Sequence, residues 1–180
     1  MDQKIIIGID PGLEGCITKL DYKSGDILDQ KKMPTRIQKT VWKVHRRGKE
    51  KGKKYKSDIR EIDRLGLRKY LFPSREDLLR SYIILEYQQT MPDQGISSSG
   101  KTMFNYGLLV GLCLGLLKMR YREVSPRSWR NYFHLKSGKD QSIQKAQELS
   151  GESFIPEGCQ SPDHNLCDSY LIAEYGRQLI

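Results

Sequence analysis

The sequence has few cysteines and no long apolar run, and each shortage argues against a class of protein. The four cysteines, at positions 16, 113, 159 and 167, include no CxxC pair, which argues against a zinc knuckle or ribbon. The most apolar stretch, residues 103–117, is shorter than the roughly 20 residues that a bilayer span takes. We therefore expect a buried helix there and no membrane partner. No signal peptide precedes the first apolar run, so we expect an intracellular protein with reduced thiols.

Acidic residues are outnumbered by basic ones, with 22 Asp and Glu against 31 Lys and Arg and a net charge of +9. Such an excess favours a polyanionic partner, and nucleic acid before a membrane surface. The stretch KVHRRGKEKGKKYK, residues 43–56, is the most basic and contains two glycines. It predicts a mobile loop that contacts phosphates, with a solvated linker as the alternative. Its candidate DNA-binding residues are Arg46, Arg47, Lys53 and Lys54.

The spacing of apolar residues predicts an α/β fold, a mixed five-stranded sheet with helices packed on its faces. Strands are predicted at residues 3–9, 16–22, 26–34, 81–87 and 121–124. Helices are predicted at residues 57–72, with Ser57 as the cap, and at 101–119, 125–133, 139–149 and 161–180. The 180 residues suffice for one domain with a full core, so a single domain over residues 1–180 is expected.

Two of the predicted buried strands end in a carboxylate. Asp10 follows Ile5, Ile6 and Ile7 in the stretch IIIGIDPG, and Glu86 ends SYIILE. A carboxylate at the end of a buried strand is costly unless a cation meets it, and two such groups side by side raise that cost. Carboxylate oxygens are the ligands that Mg²⁺ and Mn²⁺ prefer, so the pattern indicates a divalent metal site.

The last predicted helix supplies further candidate ligands. Asp168 precedes the apolar run SYLIAEY, and His164 lies four residues earlier on the same helix face. Asp163 and Asn165 flank that histidine, and helical register favours His164 first and Asp163 second as the fourth ligand. Each residue also has a structural explanation: Asp163 near a helix N-terminus favours the helix dipole, His164 can be a surface residue, and Asp10 can start a turn.

The motifs GIDPG, ILEYQQ, VSPRSWRNYF with KDQS after it, and DHNLCDSYLIAEYG occur in this order along nearly the whole chain. In that order they resemble the RuvC family of Holliday-junction resolvases, and most closely its phage-type and chloroplast branch. The resemblance implies an RNase H-like fold, a homodimer, and two-metal cleavage of symmetric strands in branched DNA. Asp10, Glu86 and Asp168 match the family's metal-binding acids. Asn165 stands where the family commonly has an acid or a histidine.

The resemblance also implies roles for the candidate catalytic residues. Asp10 would bridge two Mg²⁺ ions, for which Mn²⁺ can substitute, and Glu86 and Asp168 would hold one ion each. His164 would ligate a metal or shuttle a proton. Lys139, which opens the KDQS segment, would contact a phosphate or neutralise developing charge, with an exposed lysine as the alternative.

Further side chains are candidates for DNA and subunit contacts. Arg127 and Arg130 flank Trp129, a core candidate, and are expected to touch backbone phosphates. Tyr87 and Gln88 are expected to meet unstacked bases at a junction, although Tyr87 can equally be ordinary packing. Three glycines recur every fourth residue on one helix face and allow close approach of either the sheet or the same helix of a second subunit: Gly107, Gly111 and Gly115.

Other functions account for part of this pattern. An actin-like or sugar-kinase ATPase also places Asp-x-Gly after its first strand, but it needs two domains and a second Gly-rich phosphate loop. Two alternatives share the expected fold: a nuclease acting on flapped DNA or RNA–DNA hybrids, and a non-catalytic junction-binding module. The full set of acids argues against the second of these.

Overall fold

The computed structural model describes residues 4–45, 47–90, 95–117, 120–136 and 138–180. Its strands are β1 (Ile5–Ile9), β2 (Cys16–Asp21), β3 (Ile27–Lys32), β4 (Thr35–Val44), β5 (Lys54–Ile62), β6 (Ser81–Glu86) and β7 (Tyr121–Val124). Its helices are α1 (Arg64–Leu71), α2 (Arg75–Arg80), α3 (Ile96–Leu117), α4 (Pro126–Tyr132), α5 (Lys139–Ser150) and α6 (His164–Leu179).

Five strands form one mixed sheet in the order β3-β2-β1-β6-β7. The central strand β1 pairs in parallel with β6, which pairs in parallel with β7, while β2 is antiparallel to both β1 and β3. The predicted mixed five-stranded sheet is therefore confirmed. Parallel strands covered on both faces read as continuous aliphatic runs, which explains the consecutive isoleucines of β1.

Successive residues of the central strands face two separate cores, one on each side of the sheet. Ile6 and Ile84 pack with Trp129 and with α6 on one side. Ile7 and Ile9 pack on the other side with apolar residues of α1 and α3. The sheet therefore lies between two layers of helices, and the side on which a strand-end residue emerges follows from its place in this alternation.

Two glycines let helix α6 lie unusually close to the sheet. A Cβ atom added at Gly8 would collide with the backbone of Ser169 and Ala173, and one added at Gly176 would collide with the side chain of Ile84. The hydroxyl groups of Thr18 and Ser169 lie 2.7 Å apart in the same buried contact. This close packing sets the distance between α6 and the carboxyl end of β1.

The segment after β3 differs from the prediction, because β4 and β5 pair as an antiparallel hairpin that forms a second, two-stranded sheet. The predicted helix over residues 57–72 is wrong in its first part, which belongs to β5. Helix α1 begins only at Arg64, where the Asp63 side chain caps it by accepting a hydrogen bond of 3.1 Å from the Gly66 amide. The spacing of Ile59 and Ile62 is compatible with a helix as well as a strand, because an exposed ribbon carries too few apolar residues to reveal its alternation.

The predicted mobile loop over residues 43–56 is also wrong at both ends, because its first two and last three residues belong to β4 and β5. Between the strands the chain turns back on itself, and the Gly52 amide donates a hydrogen bond of 2.9 Å to the carbonyl of His45. Gly48 and Gly52 both adopt positive φ there, which is the backbone geometry that glycine accommodates best.

Smaller differences concern helix boundaries. Helix α3 begins at Ile96, five residues before the predicted start at residue 101, and the short helix α2 was not predicted. The last helix begins at His164 with Asp163 as its cap, three residues after the predicted start. Residues 118 and 119, the predicted end of the apolar helix, lie outside the described residues.

Helix α3 is buried on one side only. Tyr106, Leu109 and Cys113 pack against the sheet, whereas Phe104 and Leu114 on the outer side are more than half exposed. The prediction of a buried helix is therefore correct for its inner side alone. Within the described ranges, no helix is both long enough and apolar enough to cross a membrane.

Candidate active site

The pairing of β1 with β6 brings the two predicted strand-end acids together. Ile9 is in register with Leu85, so the next residues, Asp10 and Glu86, lie side by side at the carboxyl ends of two parallel strands. Ile9 and Leu85 belong to the core on the α3 side. By the alternation of strand residues, Asp10 and Glu86 therefore emerge on the side of α6.

The electrostatics of Asp10 show that α6 completes an acidic cluster. Burial raises the pKa of Asp10 well above its usual value, and the negative charges of Glu86, Asp168 and Asp163 raise it further, in that order. Like charges affect one another in this way when they lie close together in a partly desolvated site. The structure thus gathers the three acids that the sequence singled out, Asp10, Glu86 and Asp168.

Glu86 is held by a residue whose part in the site the sequence did not reveal. Burial raises the pKa of Glu86 to about 7, a hydrogen bond from Trp129 opposes that rise, Asp168 adds to it and Arg130 opposes it. The indole Nε1 of Trp129 donates this bond to Oε1 of Glu86 over 2.8 Å. Trp129 was predicted to be core, and it is 1% exposed. The available signal was that a buried indole N–H needs an acceptor.

Asp163 has two structural partners besides the acidic cluster. Its carboxylate caps α6 by accepting a hydrogen bond of 3.0 Å from the Asn165 amide, and its Oδ2 lies 2.8 Å from Nζ of Lys32. Burial would raise the pKa of Asp163, but the hydrogen bonds from Lys32 and Asn165 hold it below its usual value. These contacts match the structural explanation for Asp163 given above.

Asn165 lines the cleft that contains the strand-end acids, whereas His164 does not. Asn165 lines the cleft that contains Asp10 and Glu86, and its Nδ2 donates a hydrogen bond of 2.9 Å to the Glu14 carbonyl. His164 lines only the neighbouring cavity, together with Asp163, and Asn165 borders both cavities. The structure therefore brings Asn165, and not the histidine favoured by helical register, into the cleft with the two strand-end acids.

The cleft beside the acids has a volume of about 1260 Å³ and carries basic groups on its walls. One wall is the turn after β1, which is held by a hydrogen bond of 2.9 Å from Nε2 of Gln88 to the Pro11 carbonyl. The start of α3 also lines the cleft and contributes Lys101, and α4 adds the exposed Arg127. Lys101 was not predicted, because it sat in a stretch assigned to a helix end far from any motif.

Other predicted DNA-binding residues have protein partners. Arg130 donates hydrogen bonds of 2.9 and 3.3 Å to the carbonyls of Lys136 and Gly138, and its guanidinium lies 5.4 Å from the Trp129 ring. It therefore ties down the segment before α5. Tyr87 lines the cleft and packs edge-on against Tyr106, with ring centroids 5.7 Å apart.

The remaining predicted residues that the structure describes lie on the β4–β5 hairpin and at the start of α5. Arg47, Lys53 and Lys54 are exposed on the β4–β5 hairpin, and Nζ of Lys53 lies 2.9 Å from Glu50. Lys139 is the first residue of α5, although its side chain is not described. Arg46 lies outside the described residues.

The three carboxylates have the chemistry of a divalent-metal site, but they are not arranged closely enough around one point to hold an ion. Three carboxylates meet in one partly buried place. Burial, and after it the repulsion between them, raises the pKa values of Asp10 and Glu86, and a hard cation would offset both effects. Across the part of the chain that the structure describes, no group of three or more His, Cys, Asp and Glu side chains is arranged so that it could hold a metal ion as it stands. By donor chemistry the cluster fits Mg²⁺, and the carboxylates would have to close around it.

Comparison with solved structures supplies the fold assignment. The chain matches Thermus thermophilus RuvC in complex with Holliday junction substrate, with a TM-score of 0.61 and 14% sequence identity over 97% of this chain and 96% of that one. The fold is RuvC-like. A second structure of RuvC from the same organism gives a TM-score of 0.47 at 13% identity over the same shares of the two chains. No protein-family model matches the chain, and no curated protein matches it in sequence.

At 14% identity the match establishes the RuvC-like fold alone. The predicted RNase H-like arrangement of a mixed five-stranded sheet with flanking helices is thereby confirmed. The acids at the ends of β1 and β6 lie in this RuvC-like fold at the carboxyl edge of the sheet, where α/β proteins commonly bind their ligands.

Proposed function

We propose that the protein is a structure-specific endodeoxyribonuclease that resolves four-way DNA junctions by Mg²⁺-dependent hydrolysis of symmetric phosphodiesters. The observation that carries the proposal is the convergence of Asp10, Glu86 and Asp168 at one edge of a RuvC-like sheet. A structurally similar chain, Thermus thermophilus RuvC, is bound to a Holliday junction substrate, which supports branched DNA as the partner. The whole chain would serve as one nuclease domain.

The three acids would hold the metal, with Mn²⁺ able to substitute for Mg²⁺. When bound, a pair of such ions supplies an activated water and stabilises the leaving oxygen of the phosphodiester. The protein's own part is to keep the carboxylates ionised and correctly oriented. The hydrogen bond from Trp129 does this for Glu86, because it favours the charged form of that group.

Basic side chains around the cleft would position the DNA. Lys101 and Arg127 lie on the walls of the cavity that contains the acids, where they can bind the phosphates on either side of the scissile bond. Lys139 would contact a phosphate from the start of α5, a segment that Arg130 holds in place. His164 lies in the neighbouring cavity, so we assign it a role in proton shuttling or outside the metal ligands. Asn165 is the residue of this pair that would lie nearer the acids.

The outer side of α3 is the proposed contact between two copies of the protein. A Cβ atom added at Gly107, Gly111 or Gly115 would meet nothing within 4 Å, so these glycines do not serve close packing on the sheet. They share the exposed side with Phe104 and Leu114. Two symmetric nicks in one junction need two active sites related by a two-fold axis, which a homodimer supplies.

One gel experiment tests the proposal. The purified protein is incubated with a mobile four-way junction, a flapped duplex, a linear duplex and an RNA–DNA hybrid, with Mg²⁺ or with excess chelator. We expect paired, ligatable nicks in the junction with Mg²⁺ alone. Preferential cutting of the flap or the hybrid would instead indicate another RNase H-like nuclease. Junction binding without cutting in any metal would indicate a non-catalytic binding module.

A further inference from the structure

The β4–β5 hairpin carries almost all of the chain's excess positive charge. Residues 35–62 contain eleven Lys and Arg against three Asp and Glu, a net charge of +8 out of +9 for the whole chain. The rest of the protein is close to neutral. A polyanion that is attracted to this protein is therefore attracted mainly to the hairpin.

The hairpin also carries an exposed aromatic surface among these charges. Trp42 is in register with Lys56, and Val44 with Lys54, so the four side chains lie on one face of the ribbon. The side chain of Trp42 is 65% exposed. Nζ of Lys56 lies 5.6 Å from the Trp42 ring, so a cation accompanies the indole.

The hairpin leaves the protein at the edge of the sheet that bears the acids. Strand β3 runs parallel to β1, because both are antiparallel to β2, and its last residue Lys32 pairs with Cys16 at that edge. At the base of the hairpin, Arg60 forms an ion pair with Glu14, which lines the cleft of the acidic cluster. Trp42 lies seven residues beyond the start of β4, roughly 23 Å along the ribbon at about 3.3 Å per residue.

We propose that the hairpin is a nucleic-acid arm in which Trp42 stacks on an unpaired base while Lys54 and Lys56 contact the adjoining phosphates. An aromatic platform beside lysines is how proteins grip single-stranded nucleic acid, because every base has a face to stack on and its phosphates lie nearby. Bases inside a duplex offer no free face. The arm would thus favour the open centre or the frayed ends of a branched substrate. This identification of the partner rests on the proposed function.

The positive charge of the hairpin favours nucleic acid over the other ligands that an exposed tryptophan could bind. A surface that binds another protein is expected to be less uniformly charged than this ribbon. An anionic membrane would also attract lysines and an indole. It is therefore included in the test as an outcome that overturns the proposal.

Tryptophan fluorescence provides a direct test, because the chain has two tryptophans in opposite environments. Trp42 is exposed, whereas Trp129 is 1% exposed, so acrylamide quenches mainly the emission of Trp42. The full-length protein is titrated in excess chelator with a synthetic four-way junction, a 20-nucleotide single strand, a blunt duplex and phosphatidylserine vesicles. We expect the junction and the single strand to change the Trp42 emission and to protect it from acrylamide, and the duplex to do neither.

Variants separate stacking from charge. We expect Trp42→Ala to weaken binding of the junction and the single strand by about 5- to 150-fold, while Trp42→Phe retains most of the affinity. Ile37→Ala is the matched control, since Ile37 is 59% exposed on the same strand and has no ring to stack. Changing Lys54 and Lys56 to Gln should weaken binding of all three DNAs and flatten its salt dependence.

The proposal is overturned if Trp42→Ala binds the junction like the wild type, if it loses affinity equally for the duplex, or if vesicles and not DNA protect Trp42. A cleavage assay with Mg²⁺ on the same proteins keeps the two proposals apart. Wild-type cutting combined with unaffected binding by Trp42→Ala rejects the arm and keeps the nuclease. Protection of Trp42 by the junction without any cutting keeps the arm and rejects the nuclease.

Discussion

The indole of Trp129 donates a 2.8 Å hydrogen bond to Glu86, and so links the core beneath α4 to a carboxylate of the candidate active site. A residue of this kind is a positioning residue, because it acts on the chemistry through the acid that it holds. Its contribution is measurable, since the hydrogen bond favours the ionised form of Glu86.

Replacing Trp129 by Phe should move the pH dependence of cleavage. Without the indole donor the pKa of Glu86 rises above its value of about 7, so a higher pH is needed to ionise it. We expect the acidic limb of the Mg²⁺-dependent rate to shift upward by about one pH unit, given the strength of a hydrogen bond to a charged group. Trp42→Phe is the control and should leave the profile in place. An unchanged profile in Trp129→Phe would contradict the assigned role.

Glu86→Gln should stabilise the metal-free protein at alkaline pH while removing its activity. The folded pKa of Glu86, about 7, lies above its ordinary value of 4.5, so its contribution to stability is lost as pH rises through that window. Glutamine keeps an acceptor for Trp129 without the buried charge. In chelator we expect a gain of up to about 3 kcal/mol in the free energy of unfolding at pH 8 and little change at pH 4. Equal effects at both pH values would refute this account.

Asp10→Asn should separate metal binding from DNA binding. The change removes a carboxylate from the centre of the acidic cluster and leaves the basic hairpin intact. We expect junction affinity in chelator to stay within about twofold of the wild type, cutting to be lost, and the rise in melting temperature caused by Mg²⁺ to disappear. A full Mg²⁺-induced rise in Asp10→Asn would place the metal elsewhere.

Gly8→Ala should disturb the candidate active site by displacing α6. The new methyl group meets the backbone of Ser169 and Ala173, so α6 must move away from β1 and carry Asp168 with it. We expect a destabilisation of about 1–3 kcal/mol, typical of overpacking, together with a larger loss of cleavage than of junction binding. Gly100→Ala is the matched control, because its Cβ would meet nothing within 4 Å. Wild-type stability in Gly8→Ala would show that α6 can shift away from β1 without a loss of folding stability.

Gly111→Arg tests the outer side of α3 as the subunit contact. An arginine there has open space in one protomer but places a charge between two copies. Analytical ultracentrifugation should find a dimer for the wild type and a monomer for the variant, and the two strands of a junction should no longer be cut as a pair. Dimeric Gly111→Arg with paired cutting would move the interface to another surface.

The features that could be predicted from the sequence are those written in local patterns. The buried strand ending at Asp10, the second ending at Glu86, and the proline-started helix α4 depend on runs of apolar residues and on capping residues next to them. The hairpin was missed because a ribbon exposed on both faces lacks the apolar alternation by which strands are recognised. Its many lysines gave the segment a composition typical of an exposed loop.

Only the tertiary structure could decide which residues share the cleft. Helical register placed His164 nearest the acids, but the packing of α6 on Gly8 and the Asp163 cap turn Asn165 into the cleft instead. The contact between Trp129 and Glu86 joins residues 43 positions apart, and that between Arg60 and Glu14 joins residues 46 apart. The sequence by itself determined the acids, the strands that deliver them and the excess of positive charge, because these are properties of short stretches. The partners of the acids, and the edge from which the charge projects, depend on how distant segments pack, which only the folded chain specifies.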